Sequence, residues 1–181
     1  MKTSLKTTKS DYIMKHNFYD SYGKIELRPI EANDIESLRL LRNKHRNCFI
    51  YSDIITSEAQ QNWFTNYLSK PDDYVFSVFL RDKWIGSVSI YNIEKNQAEF
   101  GRLLIDSDTG EKGLGVSVTI CVCKLAFSKM NVSRIVLQVY EDNISAYKTY
   151  IRAGFKIFGH SFDVNGKKLL DMELFSSDLS E

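Results

Sequence analysis

Apolar positions along the chain follow two rhythms, and the switches between them mark the elements. Ile25, Leu27 and Ile30 predict a short strand that Pro29 ends. Through EANDIESLRLLRNKHRN the rhythm becomes helical, with Ile35, Leu38 and Leu41 on one stripe and Asn33 and Glu36 spaced as a helix-start pair. TSEAQQNWFTNYLSK repeats that logic: Ser57 and Gln60 are placed for a capping box, and Trp63, Phe64, Tyr67 and Leu68 form the stripe. YVFSVFL and IGSVSIYNI, rich in β-branched and aromatic residues around the turn RDKW, predict a hairpin. AEFGRLLID follows as a third strand after EKNQ. LGVSVTICVCKLAFSKM is apolar almost all round, which predicts a helix buried on more than one side. SRIVLQVYED reads as a strand, and NISAYKTYIRAGF as a short helix capped by Asn143 and stopped by Gly154. FKIFGHSF and LLDMELF close the chain as a hairpin with Asn165-Gly166 at its tip.

The resulting order, β-αα-βββ-α-β-α-ββ, predicts one α/β domain with a mixed sheet flanked by helices. It spans residues 25–176, between a polar N-terminal arm (1–24) and a short C-terminal tail (177–181). The composition fits: 43% of residues are apolar and 26% charged, as in an ordinary globular chain. A formal net charge of +1 argues against nucleic acid as a partner. No apolar run approaches the roughly 20 residues of a membrane span. The first residues lack the apolar core of a signal peptide, so the expected location is the cytoplasm. Cys48, Cys121 and Cys123 have no metal-ligand spacing. On a helix Cys121 and Cys123 point about 200° apart, so the expectation is three reduced, structural thiols and no metal.

The candidate chemistry begins at DTGEKGLGV, a glycine turn between a strand and a helix. It lacks the Gly-Lys-Ser/Thr ending of a nucleotide P-loop, because Lys112 precedes the glycine. It also lacks the third glycine of a dinucleotide fingerprint, because position 118 is Val. A ligand-free turn is one reading. The other is a diphosphate held by the first free amides of the helix, with Gly110, Gly113 and Gly115 keeping the backbone open and Lys112 adding charge.

GEKGLG after a strand, followed by NISAYKTYIRAGF, resembles the two central motifs of the GNAT superfamily of N-acetyltransferases. Asn143, Ala146, Tyr150, Gly154 and Phe155 fall on that family's Asn-x-x-Ala-x-x-x-Tyr-x-x-x-Gly-Phe pattern without a gap. The element order is similar over residues 25–175. The resemblance implies acetyl-CoA as co-substrate, its pyrophosphate on Gly110, Glu111, Lys112, Gly113, Leu114, Gly115 and Val116. The pantetheine arm would lie along Leu103, Leu104 and Ile105, with Asn143 and Tyr150 beside it. Two positions depart from the family: Gly110 stands where Gln or Arg is usual, and Val116 where many relatives carry Thr. Both departures leave the backbone amides in place.

The resemblance further implies Tyr150 as the acid for the leaving thiolate and Glu99 as the base for the ammonium. A core tyrosine and a solvated strand-end carboxylate are the alternatives. Gly101 would permit a bulge that splays this strand from the next. Arg102 faces either an anionic acceptor or a neighbouring carboxylate. His45 and His160 stand apart from any motif, and Trp63 and Phe64 read as core.

The segment LRLLRNKHRNCFIYSDIITSEAQQNWF resembles the members that acetylate ribosomal protein N-termini, spermidine and nucleotide-linked amino sugars. The pattern of Arg42, Asn43, Ile55, Glu58, Trp63 and Phe64 is most similar to the sugar-nucleotide group. Arg42, Asn43 and Arg102 are the implied acceptor contacts, with Arg28 and Arg46 as further charge for a diphosphate. The expected partner is therefore a small-molecule amine, and the expected assembly a monomer or homodimer. A protein N-terminus, a polyamine, and a non-catalytic acyl-CoA-binding sensor remain the alternatives.

Overall fold

A computed structural model describes residues 16–20, 23–49 and 52–179. Its chain order is β1 (His16–Asp20), β2 (Gly23–Pro29), α1 (Ile35–Lys44), α2 (Ser57–Leu68), β3 (Asp73–Leu80), β4 (Lys83–Glu94), β5 (Gln97–Ile105), α3 (Leu114–Lys129), β6 (Arg134–Tyr140), α4 (Ile144–Arg152), β7 (Lys156–Phe162) and β8 (Lys168–Phe175). Eight strands form one sheet in the order β1-β2-β3-β4-β5-β6-β8-β7. Only β5 and β6 run parallel, and the long connection between them is α3.

The predicted hairpin of β3 and β4 closes through a two-residue turn in left-handed backbone, Arg81-Asp82 (φ 50° and 63°), and β4 turns into β5 the same way at Lys95-Asn96 (φ 43° and 68°). Such turns match the right-handed twist of the flanking strands. Consecutive strand residues then face opposite layers. Phe76, Val88, Phe100 and Ile135 meet Val118, Val122 and Leu125 of α3 on one face, together with Tyr150 of α4. Val75 and Leu104 meet Ile35, Leu38 and Leu41 of α1 and Tyr67 of α2 on the other. Tyr67 fixes its helix to the sheet, its hydroxyl accepting from the Val75 amide at 3.0 Å.

Several expectations are corrected. The arm is not wholly outside the fold, because His16–Asp20 pairs antiparallel with β2; the rest of residues 1–22 lies outside the described residues. The first helix starts at Ile35 with Asp34 at its cap, and the Asp34 carboxylate instead accepts from the Glu31 amide and the Ser77 hydroxyl. The second is capped by Thr56, whose hydroxyl accepts from the Ala59 amide, so Ser57 is already helical. At the C-terminal end Asp178 pairs with Lys156 at 2.9 Å and Leu179 packs on the main core. Cys121 and Cys123 are buried free thiols, and the Cys48 side chain lies outside the described residues.

Gly86 sits where β4 meets the end of β5, opposite Ile105. A Cβ there would fall 2.0 Å from the Leu104 carbonyl oxygen, a contact no small shift relieves. Gly86→Ala should lower Tm by about 4 °C or more, the consequence of about 2 kcal/mol of overpacking in a chain this size. Gly166→Ala is the comparison: its φ of 78° is strained but nothing lies within 4 Å, so its cost should stay near 1 kcal/mol. Equal melting shifts in the two variants would remove the packing explanation.

Candidate active site

β5 keeps its parallel ladder with β6 for only three pairs, from Gln97–Arg134 to Glu99–Val136. On its other side Ser89 pairs with Gly101 but Ser87 with Leu104, so Arg102 and Leu103 together oppose Val88. This is a β-bulge, and its first residue, Arg102, has φ 53°. The bulge lies one residue beyond Gly101. Gly101 itself makes room for Tyr91, whose hydroxyl would be 2.7 Å from a Cβ there. Past Glu99 the strands diverge, and a cleft of about 840 Å³ opens between Leu103–Ile105 and Val136–Tyr140.

α4 closes one end of the cleft. Asn143 caps it, its side-chain oxygen accepting from the Ala146 amide at 3.2 Å, and Asn143, Ala146, Thr149 and Tyr150 all line the opening. Tyr150 is buried and packs edge-on against Phe100 at 5.5 Å. Burial pushes its phenol up to about 12, so it holds its proton at neutral pH.

The glycine turn meets α4 across the cleft. Gly110 (φ 71°) and Gly113 (φ 79°) adopt left-handed backbone, and Gly113 caps α3. The amides of Leu114 and Gly115 have no preceding carbonyl within the helix to reach. Gly115 lines the cleft, and a Cβ on it would press to 3.3 Å from the Thr149 methyl. Lys112 is exposed and forms no ion pair among the described residues, so its charge is available beside the turn. Orphan amides, a positive helix end and a free ammonium suit a diphosphate. The edge of Leu103–Ile105 that faces β6 carries no ladder, and it suits a ligand arm that itself carries amides.

Other predicted contacts stand differently. Leu114 has its side chain in the core, so only its amide can serve a ligand. The Glu111 carboxylate is held by Arg81 at 3.0 Å. Gly110, Glu111, Lys112, Gly113, Leu114 and Val116 lie outside the cleft lining, which reaches the turn only at Gly115.

Glu99 is half-buried at the last position of β5 that pairs with β6, opposite Tyr91 of β4. Burial chiefly, and then the Glu99 carboxylate, raise the Tyr91 phenol. Arg102 pairs with buried Asp73 at 2.7 Å and lies over the Tyr91 ring at 4.3 Å, which is the carboxylate alternative for this residue. Arg42 is half-buried and stacks over Phe49 at 4.5 Å, and it has no carboxylate partner among the described residues. Burial and then repulsion from Arg102 push its guanidinium below the usual arginine value.

Asn43 is occupied structurally, exchanging two 2.9 Å hydrogen bonds with the Ile55 backbone, and does not line the cleft. Arg28 forms a double hydrogen bond to Glu26, and neither it nor Arg46 reaches the cleft. Trp63 and Phe64 pack beside the smaller core as partly buried residues.

Several lining residues carried no sequence signal. Tyr91 is on a different hairpin arm, and Asp171 is on β8 with one oxygen accepting from Gln138 and Ser161 at 2.9 Å. His45 follows α1, and its Nε2 is buried without a partner. A second cavity of about 380 Å³ lies under α1 and α2 and shares Arg42, Phe49, Arg102 and Leu104 with the cleft. No cluster that could hold a metal ion occurs among the described residues. No helix there is long and apolar enough to cross a membrane.

The acetyltransferase (GNAT) domain model matches residues 24–156, well over half of the chain. Among solved structures, spermidine N-acetyltransferase from Vibrio cholerae, bound to CoA and spermine, is similar at TM-score 0.75 and 24% identity, covering 88% of this chain and 98% of its own. Aminoglycoside acetyltransferase AAC(6')-Ib, with coenzyme A and kanamycin, gives TM-score 0.71 and 19% identity over 85% and 96% of the two chains. Apo FdhC, a nucleotide-linked sugar GNAT, gives TM-score 0.76 and 20% identity over 91% and 93%. No curated protein matches the chain significantly. These likenesses establish the fold, and the domain match establishes the family: the chain belongs to the GNAT acetyltransferases, enzymes that move an acetyl group from acetyl-CoA to an amine.

Proposed function

We propose that the acceptor is the primary amine of a nucleotide-linked amino sugar, with Glu99 as base and Tyr150 as acid. The observation that carries this reading is Arg42, a half-buried guanidinium that faces the cleft with no carboxylate partner among the described residues. A desolvated cation is costly unless an anion arrives, and a bidentate phosphate contact suits its planar fork. A polyamine would instead bring several ammonium groups against Arg42 and Arg102.

Acetyl-CoA supplies an activated thioester, the only chemistry the chain does not itself provide. The amides of Leu114 and Gly115, with Lys112 beside them, hold the diphosphate. Leu103–Ile105 and Asn143 orient the arm that enters the opening between β5 and β6. Glu99 takes a proton from the acceptor's ammonium, directly or through one water, which frees the lone pair for attack. Tyr150 keeps its own proton until the sulfur needs it, because burial holds the phenol near 12. Asp73 keeps Arg102 in place over Tyr91, so the wall beside Glu99 is fixed before the acceptor arrives.

Release of free thiol from acetyl-CoA, measured against UDP-linked amino hexoses, spermidine and short peptides, tests the acceptor. Turnover confined to the nucleotide sugars is expected. Turnover confined to spermidine or peptides would replace the acceptor, and coenzyme binding without turnover of any of them would favour a sensor. Arg42→Met should raise the nucleotide-sugar KM about 10-fold or more, the weight of a lost charged hydrogen bond, and leave the coenzyme Kd unchanged.

Tyr150→Phe and Glu99→Gln should each lower kcat by about 10²- to 10⁴-fold. A raised phenol pKa keeps the acid form present up to that value. The wild-type rate should therefore rise with pH as the amine loses its proton, with no loss from Tyr150 ionisation until about pH 12. A fall near pH 10 that Tyr150→Phe abolishes would keep Tyr150 as the acid and overturn its raised pKa, whereas a kcat that Tyr150→Phe leaves unchanged would remove it from the acid role.

A further inference from the structure

The second cavity contains buried polar groups that the fold does not use. Ser89, on β4, is fully buried, and its hydroxyl oxygen has no hydrogen-bond partner. Gln60, on α2, is 5% exposed, and its amide makes no hydrogen bond among the described residues. Arg42 completes the set, its guanidinium shared with the larger cleft. A buried hydroxyl left unpaired is unfavourable, and one set in a cavity of about 380 Å³ beside the Gln60 amide and a half-buried guanidinium points to a polar ligand.

The remaining walls narrow its chemistry. Leu38, Ile55, Val75 and Leu104 are aliphatic, and Trp63 offers an indole that stacks on Tyr67 at 5.4 Å. None of the lining residues is acidic. An ammonium would find no counter-charge here, so an extended polyamine does not fit. A ring with an apolar face and hydroxyl edges does: the face lies on Trp63, and the hydroxyls trade hydrogen bonds with Ser89 and Gln60.

We infer that this cavity is the specificity pocket of the acceptor site, and that it seats a single hydroxylated sugar ring. The inference rests on the proposed amino-sugar acceptor and adds which residues read the sugar. Ser89 and Gln60 recognise ring hydroxyls, and Trp63 supports the ring. Arg42, at the boundary of the two cavities, receives the phosphate that continues into the cleft. Ser89 pairs with Gly101 in the ladder, two residues along β5 from Glu99, on the same side of the sheet. A ring seated there keeps its amine within reach of the carboxylate.

The chain has two tryptophans, so a Trp84→Phe background leaves Trp63 as the reporter. Its fluorescence is titrated with UDP-linked 2-amino and 4-amino hexoses, the free amino hexoses and spermidine, and thiol release is followed in the same samples. A saturable signal from the sugars and none from spermidine is expected. Ser89→Ala and Gln60→Leu should each weaken the sugar signal about 3- to 10-fold without changing the coenzyme Kd. Ser89→Ala should also hold or raise Tm, since it deletes an unpaired buried hydroxyl, whereas a structural serine would lose stability.

A cavity silent to every sugar, or a signal unmoved by both variants, overturns the inference; if nucleotide sugars are still turned over, the acceptor reading survives it. A sugar signal sensitive to both variants but without thiol release supports the pocket and overturns the acceptor reading.

Discussion

The site depends on a ladder that stops. β5 and β6 are the only parallel neighbours in the sheet, and their pairing ends at Glu99–Val136 while both strands continue. Unpaired strand edges inside a protein carry donors and acceptors that need partners. Here the divergence is fixed by the bulge at Arg102. A non-glycine residue at φ 53° stores strain of about 1–3 kcal/mol. What holds it is local: the Asp73 carboxylate, the Tyr91 ring and the close approach of Gly86 to Leu104. Each of these contacts serves to keep the cleft open.

The opening divides the sheet into two kinds of recognition. On the α3 side, the proposed contacts for a diphosphate and an amide-bearing arm are backbone: the orphan amides at the start of α3 and the edge of β5 that β6 leaves free. On the α1 and α2 side, the proposed acceptor would meet side chains: Arg42 from α1, Trp63 and Gln60 from α2, Ser89 from β4 and Glu99 from β5 all line the two cavities. Backbone recognition constrains a few positions to be small, and one ligand can be shared by a whole family on that basis. Side-chain recognition varies with each residue, and specificity resides there.

That division also explains what the sequence made legible. The glycine turn, the Asn143 cap and Tyr150 sit in two contiguous stretches, so the resemblance to the family's two motifs picked them out. Helix starts were found within one or two residues, because Thr56 and Ser57 are both competent caps and only the extended backbone of Thr56 selects it. β1 was missed, since the segment HNFYD shows no alternation. Asn43 and Arg42 are neighbours with opposite fates: the amide is spent on the Ile55 backbone, while the guanidinium stacks on Phe49 and has no carboxylate partner among the described residues. No sequence spacing separates those two cases. Tyr91, Asp171 and Ser89 enter the cavities through strand register, which depends on bulges and ladder ends that only the folded sheet defines.

Arg102 and Arg42 show how the same side chain takes two roles in one site. Arg102 has a buried carboxylate and an aromatic ring, so its charge is neutralised and its position fixed. Arg42 has only the Phe49 ring among the described residues, and burial and then Arg102 lower its affinity for its own proton. Two guanidiniums this close raise the energy of the free protein, and Asp73 relieves only one of them. An anion reaching Arg42, as the proposed acceptor would bring, would recover the remaining cost, so a charge unfavourable in the free enzyme would become selectivity in the complex. A cationic acceptor recovers nothing there, and it meets the repulsion as well.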